Sequence, residues 1–342
     1  MKTTLQRILG FFLCAVLVLG SAQYLGDRYM PERLDYGATW HMYEKEPENS
    51  IDVLCIGASY TYCSTLPAVI YEEAGISVYD VTGPGLTLAQ SYYYLQEALK
   101  TQHPNLVYLE VTNHPDVDYS KINIGYMPWG LPRIQATFDA AEPEQRLGLL
   151  FPLYNYHDRW SQVSPLDLIW PRADDKVDEL AGYTYLSQAE CFTTRKERDG
   201  VNSNYQPETY AKEITYLEKI QKLCRKNDIG LSLYLAPAVE YLPGTYLEAL
   251  RRTAQELDLP LHDYTTQEQL TALGLSLEWD FYDGRHLNVS GAKKFSRVFA
   301  RQMAKDLAGQ ALHDKDSDLW NSRIAALAQR EVQDPLHRKE ST

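Results

Sequence analysis

The chain has 342 residues, 44% of them hydrophobic, and a formal net charge of −13. That length suits one large domain, or one core with an insertion and terminal appendages, and the apolar fraction suffices for a sizeable core. The acidic balance argues against a non-specific nucleic-acid binder, which needs a basic footprint.

In chain order, Lys2 and Arg7 precede the apolar run Ile8 to Ala22. A basic flank followed by such a run reads as a secretory signal or a signal-anchor. Residues 1–25 are therefore expected to anchor the chain in a membrane, or to be removed near Ala22 at Gly20-Ser21-Ala22, leaving a secreted protein. The positive flank would stay cytoplasmic and the body would lie outside, in the cell envelope. Residues 26–50 read as a connector.

The main body, residues 51–308, then alternates in type. Ile51 to Gly57 is a short apolar run of the buried parallel-strand kind, followed by a helical pattern with Pro67 in its opening turn. Ile76 to Thr82 is a second strand, closed by the turn Gly83-Pro84-Gly85. Leu86 to Lys100 is helical and Leu106 to Val111 a third strand. Strand and helix alternating at these lengths predict right-handed crossovers and a parallel sheet. The rhythm breaks over 114–207, which holds aromatic pieces such as FPLYNYHDRW. A structureless loop of that length is implausible in a compact domain, so the segment reads as an insertion with short helices. It leaves from the C-terminal end of the third strand, where open α/β sheets gather their sites, which makes it a candidate lid or substrate platform. His157, Arg159 and Trp160 within it are candidate substrate-binding residues. Alternation resumes with a helix from Glu208 to Asn227, a strand from Leu231 to Pro237, a helix from Tyr246 to Leu257 and a short strand from Leu261 to Tyr264. A loop, FYDGRHLNVSGA, leads into a helix from about Ser290 to Leu307. Residues 309–342 form a charged tail in which Trp320, Ile324 and Leu327 suggest a small amphipathic helix.

Five scattered cysteines form neither a disulfide framework nor a zinc motif, and no cofactor is indicated. The strand ends carry residues a core does not require: Ser59 after the first, Gly83 and Gly85 after the second, Asn113 after the third, Asp283 and His286 after the fifth. A parallel sheet brings these ends to one edge. Ser59 then reads as a nucleophile, His286 as its base and Asp283 as the group that orients the base. The amides of Ser59 and of Gly85 or Gly83, with the Asn113 side chain, are candidate oxyanion donors.

The blocks VLCIGASYTYCSTLP, YDVTGPG, YLEVTNH and DGRHLNVSGA resemble the SGNH/GDSL hydrolase superfamily. The match is to its extracytoplasmic, membrane-anchored branch, which includes D-alanyl-transfer and alginate-acetylation-type proteins. The resemblance implies a flavodoxin-like three-layer α/β/α sandwich around a mostly parallel five-stranded sheet, with a Ser-His-Asp triad at Ser59, His286 and Asp283. The family's usual Gly-x-Asn-Asp string is replaced here by Val111-Thr112-Asn113-His114. The function it implies is ester hydrolysis or O-acyl transfer on a surface polysaccharide, teichoic acid or peptidoglycan, with a membrane-bound O-acyltransferase as partner in the transfer case. The alternative is a non-catalytic or degenerate scaffold within a surface-polymer modification complex.

Overall fold

The computed structural model describes residues 2–31, 40–112, 119–169, 177–197 and 207–334. Five strands form one parallel sheet: β1 (Val53–Gly57), β2 (Val78–Thr82), β3 (Leu106–Glu110), β4 (Gly230–Leu235) and β5 (Leu261–Asp263). Their spatial order is β2-β1-β3-β4-β5. Each of β1, β2 and β3 is buried along its whole length. That is why these strands read as continuous apolar runs rather than alternating ones.

Helices cover both faces. Along β1, Leu54 and Ile56 point into one apolar cluster while Val53 and Cys55 point into the other. The first cluster is closed by α4 (Leu88–Ala98), α5 (Pro207–Lys226) and α6 (Gly244–Glu256), through residues such as Tyr94, Leu217 and Leu250. The second is closed by α3 (Pro67–Ala74) and α7 (Val289–Asp306), through Ile70, Phe295 and Phe299. The result is a three-layer α/β/α sandwich. The connections after β1 and β2 run over opposite faces, so the chain reverses direction between β1 and β3. That crevice is where open sheets of this order bind ligands.

Three features lie outside the alternating pattern. The described part of the insertion includes short helices, among them Ser120–Asn123, Leu131–Asp139, Pro152–Tyr156, His157–Ser161 and Pro165–Ile169. Near its end Lys196–Glu197 pairs in parallel with Glu240–Tyr241, a second small sheet that no local pattern announces. The charged tail holds a 17-residue helix, α8 (Ser317–Gln333), docked on the body. Its Trp320 stacks on Tyr71 with ring centres 4.9 Å apart. Arg323, fully buried, donates to the buried Glu46 carboxylate and to the Asp178 carbonyl. Burial pushes the Glu46 carboxyl up, against the pull of Arg323. All five cysteines are free thiols.

Arg323→Ala leaves Glu46 buried without its cation and is expected to lower stability by about 3–5 kcal/mol. Arg330→Ala breaks an exposed pair with Glu179 (3.2 Å) and should cost less than ~1 kcal/mol. Parallel urea titrations of the two variants measure the contrast.

Candidate active site

At the end of β1 the backbone passes too close to its neighbours for a side chain. A Cβ on Gly57 would lie 2.4 Å from Thr61 Oγ1 and 2.5 Å from Glu110 Cβ. Glycine therefore lets the chain turn sharply against β3 and start the short helix α2 (Ser59–Ser64), of which Ser59 is the first residue. Ser59 is half-buried while the following residues, Tyr60 to Ser64, are all buried. The amides of a first helical turn have no intrahelical acceptor, so the Ser59 N–H is a donor at the site.

The loop after β5 shapes itself. Tyr282 N–H donates to the His286 carbonyl (2.9 Å), and Phe281 pairs with Leu287 in an antiparallel bridge. Inside this closed loop Asp283 Oδ1 accepts from the N–H of Arg285 (2.7 Å) and of His286 (2.9 Å). Its Oδ2 lies 2.8 Å from His286 Nδ1, and His286 Nε2 lies 2.7 Å from Ser59 Oγ. With the proton on Nδ1, the imidazole donates to Asp283 and accepts from the Ser59 hydroxyl. Burial works against ionisation of Asp283. The hydrogen bond and charge of His286, with the two backbone donors, outweigh it and hold the carboxyl below the ordinary carboxylate value. Asp280 serves the loop differently. Its buried carboxylate accepts from Ser276 N–H, Ser290 Oγ and Lys294 Nζ, stapling the base of the loop.

The turn after β2 leaves the sheet beside the end of β1, where β2 is paired with it through Gly57 and Thr82. Gly83-Pro84-Gly85-Leu86 closes through Leu86 N–H to the Gly83 carbonyl (3.3 Å), with Gly85 at φ 53°. Proline second and a positive-φ glycine third suit a type II turn. Of the two candidate glycines, Gly83 is corrected: its N–H donates to the Gly57 carbonyl (3.3 Å), extending the sheet, and is not free for an oxyanion. Among the described residues none accepts from the Gly85 amide. Asn113 and His114 lie outside the described residues.

Sequence reasoning missed two contributions, both from the insertion. The fully buried Asn123 donates through Nδ2 to the Pro84 carbonyl (2.9 Å) and to Gln90 Oε1 (2.8 Å). The Pro84 carbonyl and the Gly85 N–H belong to one planar peptide unit, so holding the oxygen also aims the N–H. The second is a strap from Tyr183 to Phe192. It donates from Thr184 N to the Tyr62 carbonyl (2.7 Å) and from Glu190 N to the Phe281 carbonyl (3.0 Å), while its Leu186 carbonyl accepts from Val289 N (2.9 Å). It ties the serine's helix to the histidine's loop. Arg285 also pairs with Glu240 (2.8 Å), locking the same loop to the small second sheet. No local pattern marks any of these residues; only their spatial neighbours do.

The structure thus joins Ser59, His286 and Asp283 by hydrogen bonds and sets the Gly83–Leu86 turn at the end of the strand beside β1, while among the described residues no hydrogen bond links His157, Arg159 or Trp160 to them. Those three sit on the short helix His157–Ser161, against the N-terminal helix α1 (Lys2–Tyr29). Arg159 donates to the Tyr29 carbonyl and to Gln162 Oε1, and His157 contacts the Tyr154 carbonyl. The physical reason is that the last turns of α1 require cover, and this aromatic run provides it.

No protein-family model matches the chain, and no curated protein matches it in sequence. Solved structures similar to it include a lipolytic protein assigned to the G-D-S-L family from Desulfitobacterium hafniense DCB-2, at 12% identity and TM-score 0.39, covering 74% of this chain and 99% of that one. Another is a protein assigned as an acylhydrolase from Bacteroides fragilis, at 11% identity and TM-score 0.38, covering 78% and 95%. A third is a variant acetyl-xylooligosaccharide esterase from Geobacillus, at 10% identity and TM-score 0.37, covering 79% and 100%. At these identities and scores the functional reading rests on the chain's own geometry.

The depressed Asp283 carboxyl has a defined consequence for stability. Its contribution is fully present above the ordinary carboxylate value of about 3.9 and is lost as pH falls through the lower, folded-state value. Denaturation midpoints of the parent should exceed those of Asp283→Asn at neutral pH, and the gap should narrow as pH falls below the ordinary carboxylate value and through the lower folded-state one.

Proposed function

We propose that this chain is a serine-dependent SGNH-type enzyme that moves or removes ester-linked acyl groups on a cell-surface glycan or wall polymer. The observation that carries the reading is the unbroken hydrogen-bonded series Ser59–His286–Asp283 at the crevice where the sheet reverses direction. A serine hydroxyl is a weak nucleophile until a base takes its proton, and here the base is already in contact. Ser59 Oγ attacks the ester carbonyl as His286 Nε2 takes the hydroxyl proton. Asp283 holds the imidazole in the required tautomer and stabilises the imidazolium. Negative charge on the carbonyl oxygen is met by the amides of Ser59 and Gly85, with Asn113 as a further donor. Collapse of the intermediate returns the proton from His286 to the leaving alcohol and leaves an acyl-serine.

The next acceptor decides the reaction. Water gives an esterase. A hydroxyl of a polysaccharide, teichoic acid or peptidoglycan gives an O-acyltransferase, in the manner of the D-alanyl-transfer branch that the sequence blocks resemble. A membrane-bound O-acyltransferase then supplies the acyl group. The glycan reading is favoured by two exposed aromatic residues on and beside the triad loop, Trp279 and Tyr282, whose flat apolar faces suit a sugar ring. An envelope location is favoured by α1, long and apolar enough over Thr4–Tyr29 to cross a membrane and carrying basic residues at its start. The body then lies on the outer side.

Ser59→Ala is expected to reduce turnover of an activated acyl ester by roughly 10⁴-fold or more, and to abolish covalent labelling by a fluorophosphonate. Unchanged turnover and unchanged surface acylation in cells carrying that variant would leave only a scaffolding role. Asn123→Ala keeps Ser59 and His286 in contact but loosens the Gly85 peptide, so the labelling rate should fall about 10–100-fold without loss of the folded state. Mass spectrometry of surface glycans from a deletion strain separates the two chemistries: lost acylation assigns a transferase, gained acylation an esterase.

A further inference from the structure

The N-terminal helix divides into two lengths with different surroundings. Residues 4–21 stand clear of the body, nearly all exposed, whereas 22–30 pack against the insertion. At about 1.5 Å per residue the free stretch measures roughly 27 Å, close to the ~30 Å hydrocarbon thickness of a bilayer. The covered stretch therefore begins where the hydrocarbon ends.

The cover is made by Pro152–Tyr156, His157–Ser161 and Pro165–Ile169. It approaches closely: a Cβ on Gly26 would lie 2.7 Å from the Leu153 amide nitrogen. Tyr24 donates its hydroxyl to the Leu168 carbonyl, and Arg28 lies over the Tyr24 ring at 5.2 Å. Yet the same three short helices leave large apolar side chains in the open: Trp160 is 71% exposed, Leu166 65% and Tyr154 60%. A soluble surface rarely gathers such groups on adjoining turns. Aromatic residues beside a cation at the end of a membrane span are what the headgroup layer accommodates.

We propose that this part of the insertion is a collar seated in the outer headgroup layer of the bilayer, with Trp160, Leu166 and Tyr154 entering the lipid around the base of α1. The occupant is lipid because the apolar groups stand on helices packed against a helix whose own length and composition already fit a span. The collar would fix the body's tilt on the membrane rather than leave it on a free tether. The inference rests on α1 acting as a membrane span and is independent of the chemistry at Ser59.

The test uses the full chain reconstituted into vesicles whose phospholipids carry bromine at a shallow or a deep acyl position. α1 contains no tryptophan, so bromine-dependent quenching reports the body. Expected is quenching that is stronger with shallow bromine, diminished in Trp160→Phe and unchanged in Trp279→Phe, the last an exposed tryptophan beside the triad loop. Both substitutions are at exposed positions and leave the core untouched. Flotation of the same samples separates the two ideas. A chain that fails to float with vesicles overturns both span and collar. A chain that floats, but whose quenching is absent or undiminished in Trp160→Phe, overturns the collar alone and assigns the exposed groups to another protein surface.

Discussion

The C-terminal edge of the sheet depends on β1 being paired in parallel on both sides. Val53 to Gly57 is matched to Val78–Thr82 on one flank, and Val53 to Ile56 to Leu106–Leu109 on the other. With neighbours in register, three strands end at one level, and the chain leaving each end must find a place in the same small space. Gly57 resolves the crowding at the centre: without a Cβ it passes Glu110 and Thr61 at distances no side chain would permit. The serine is presented at the edge as a result, and its hydroxyl reaches a histidine 227 positions away.

What meets Ser59 there is a loop with little freedom of its own. Its closure through Tyr282 and His286, the two backbone N–H hydrogen bonds donated to Asp283 and the Asp280 staple hold the imidazole before any substrate arrives. Such preorganisation is what makes a hydroxyl–imidazole pair useful, since no reorganisation is needed at the moment of reaction. The insertion adds a second tier of restraint. Asn123 holds the glycine turn, and the strap from Tyr183 to Phe192 joins the serine's helix to the histidine's loop. Just beyond Asn123, the Tyr126 hydroxyl donates to the Pro31 carbonyl past the end of α1 (2.7 Å). A continuous series of contacts thus runs from the base of the N-terminal helix to the turn beside the serine.

The parts legible in the sequence are those whose cause is local. Buried parallel strands read as apolar runs because both of their faces are covered, and α4, α5 and α7 read through their 3.6-residue periodicity. The Asp-x-x-His spacing is readable for the same reason: three residues suffice for Asp283 to cap the turn and reach the ring. The insertion is legible only as an interruption. Its aromatic run draws His157, Arg159 and Trp160 toward a supposed cleft, because composition reports that such groups must be buried or bound but not against what. Asn123 and the Glu240–Arg285 pair are invisible for a related reason: a buried polar residue is distinguished by its partners, and those lie 39 and 45 positions away. The tail's Arg323 is the extreme case, a charge on the docked face of α8 whose burial is matched by Glu46, 277 positions away.

By itself, the sequence determined the alternation of strands and helices, the apolar length of the N-terminal helix and the internal geometry of the Asp283–His286 loop, because each follows from side-chain patterning and backbone chemistry over a few turns of chain. Only the tertiary structure decided which serine that loop serves, which glycine amide is spent on the sheet, and that the insertion covers α1 while bracing the site. These outcomes depend on strand order and on which surfaces exclude water together, and neither is a property of any one stretch of residues.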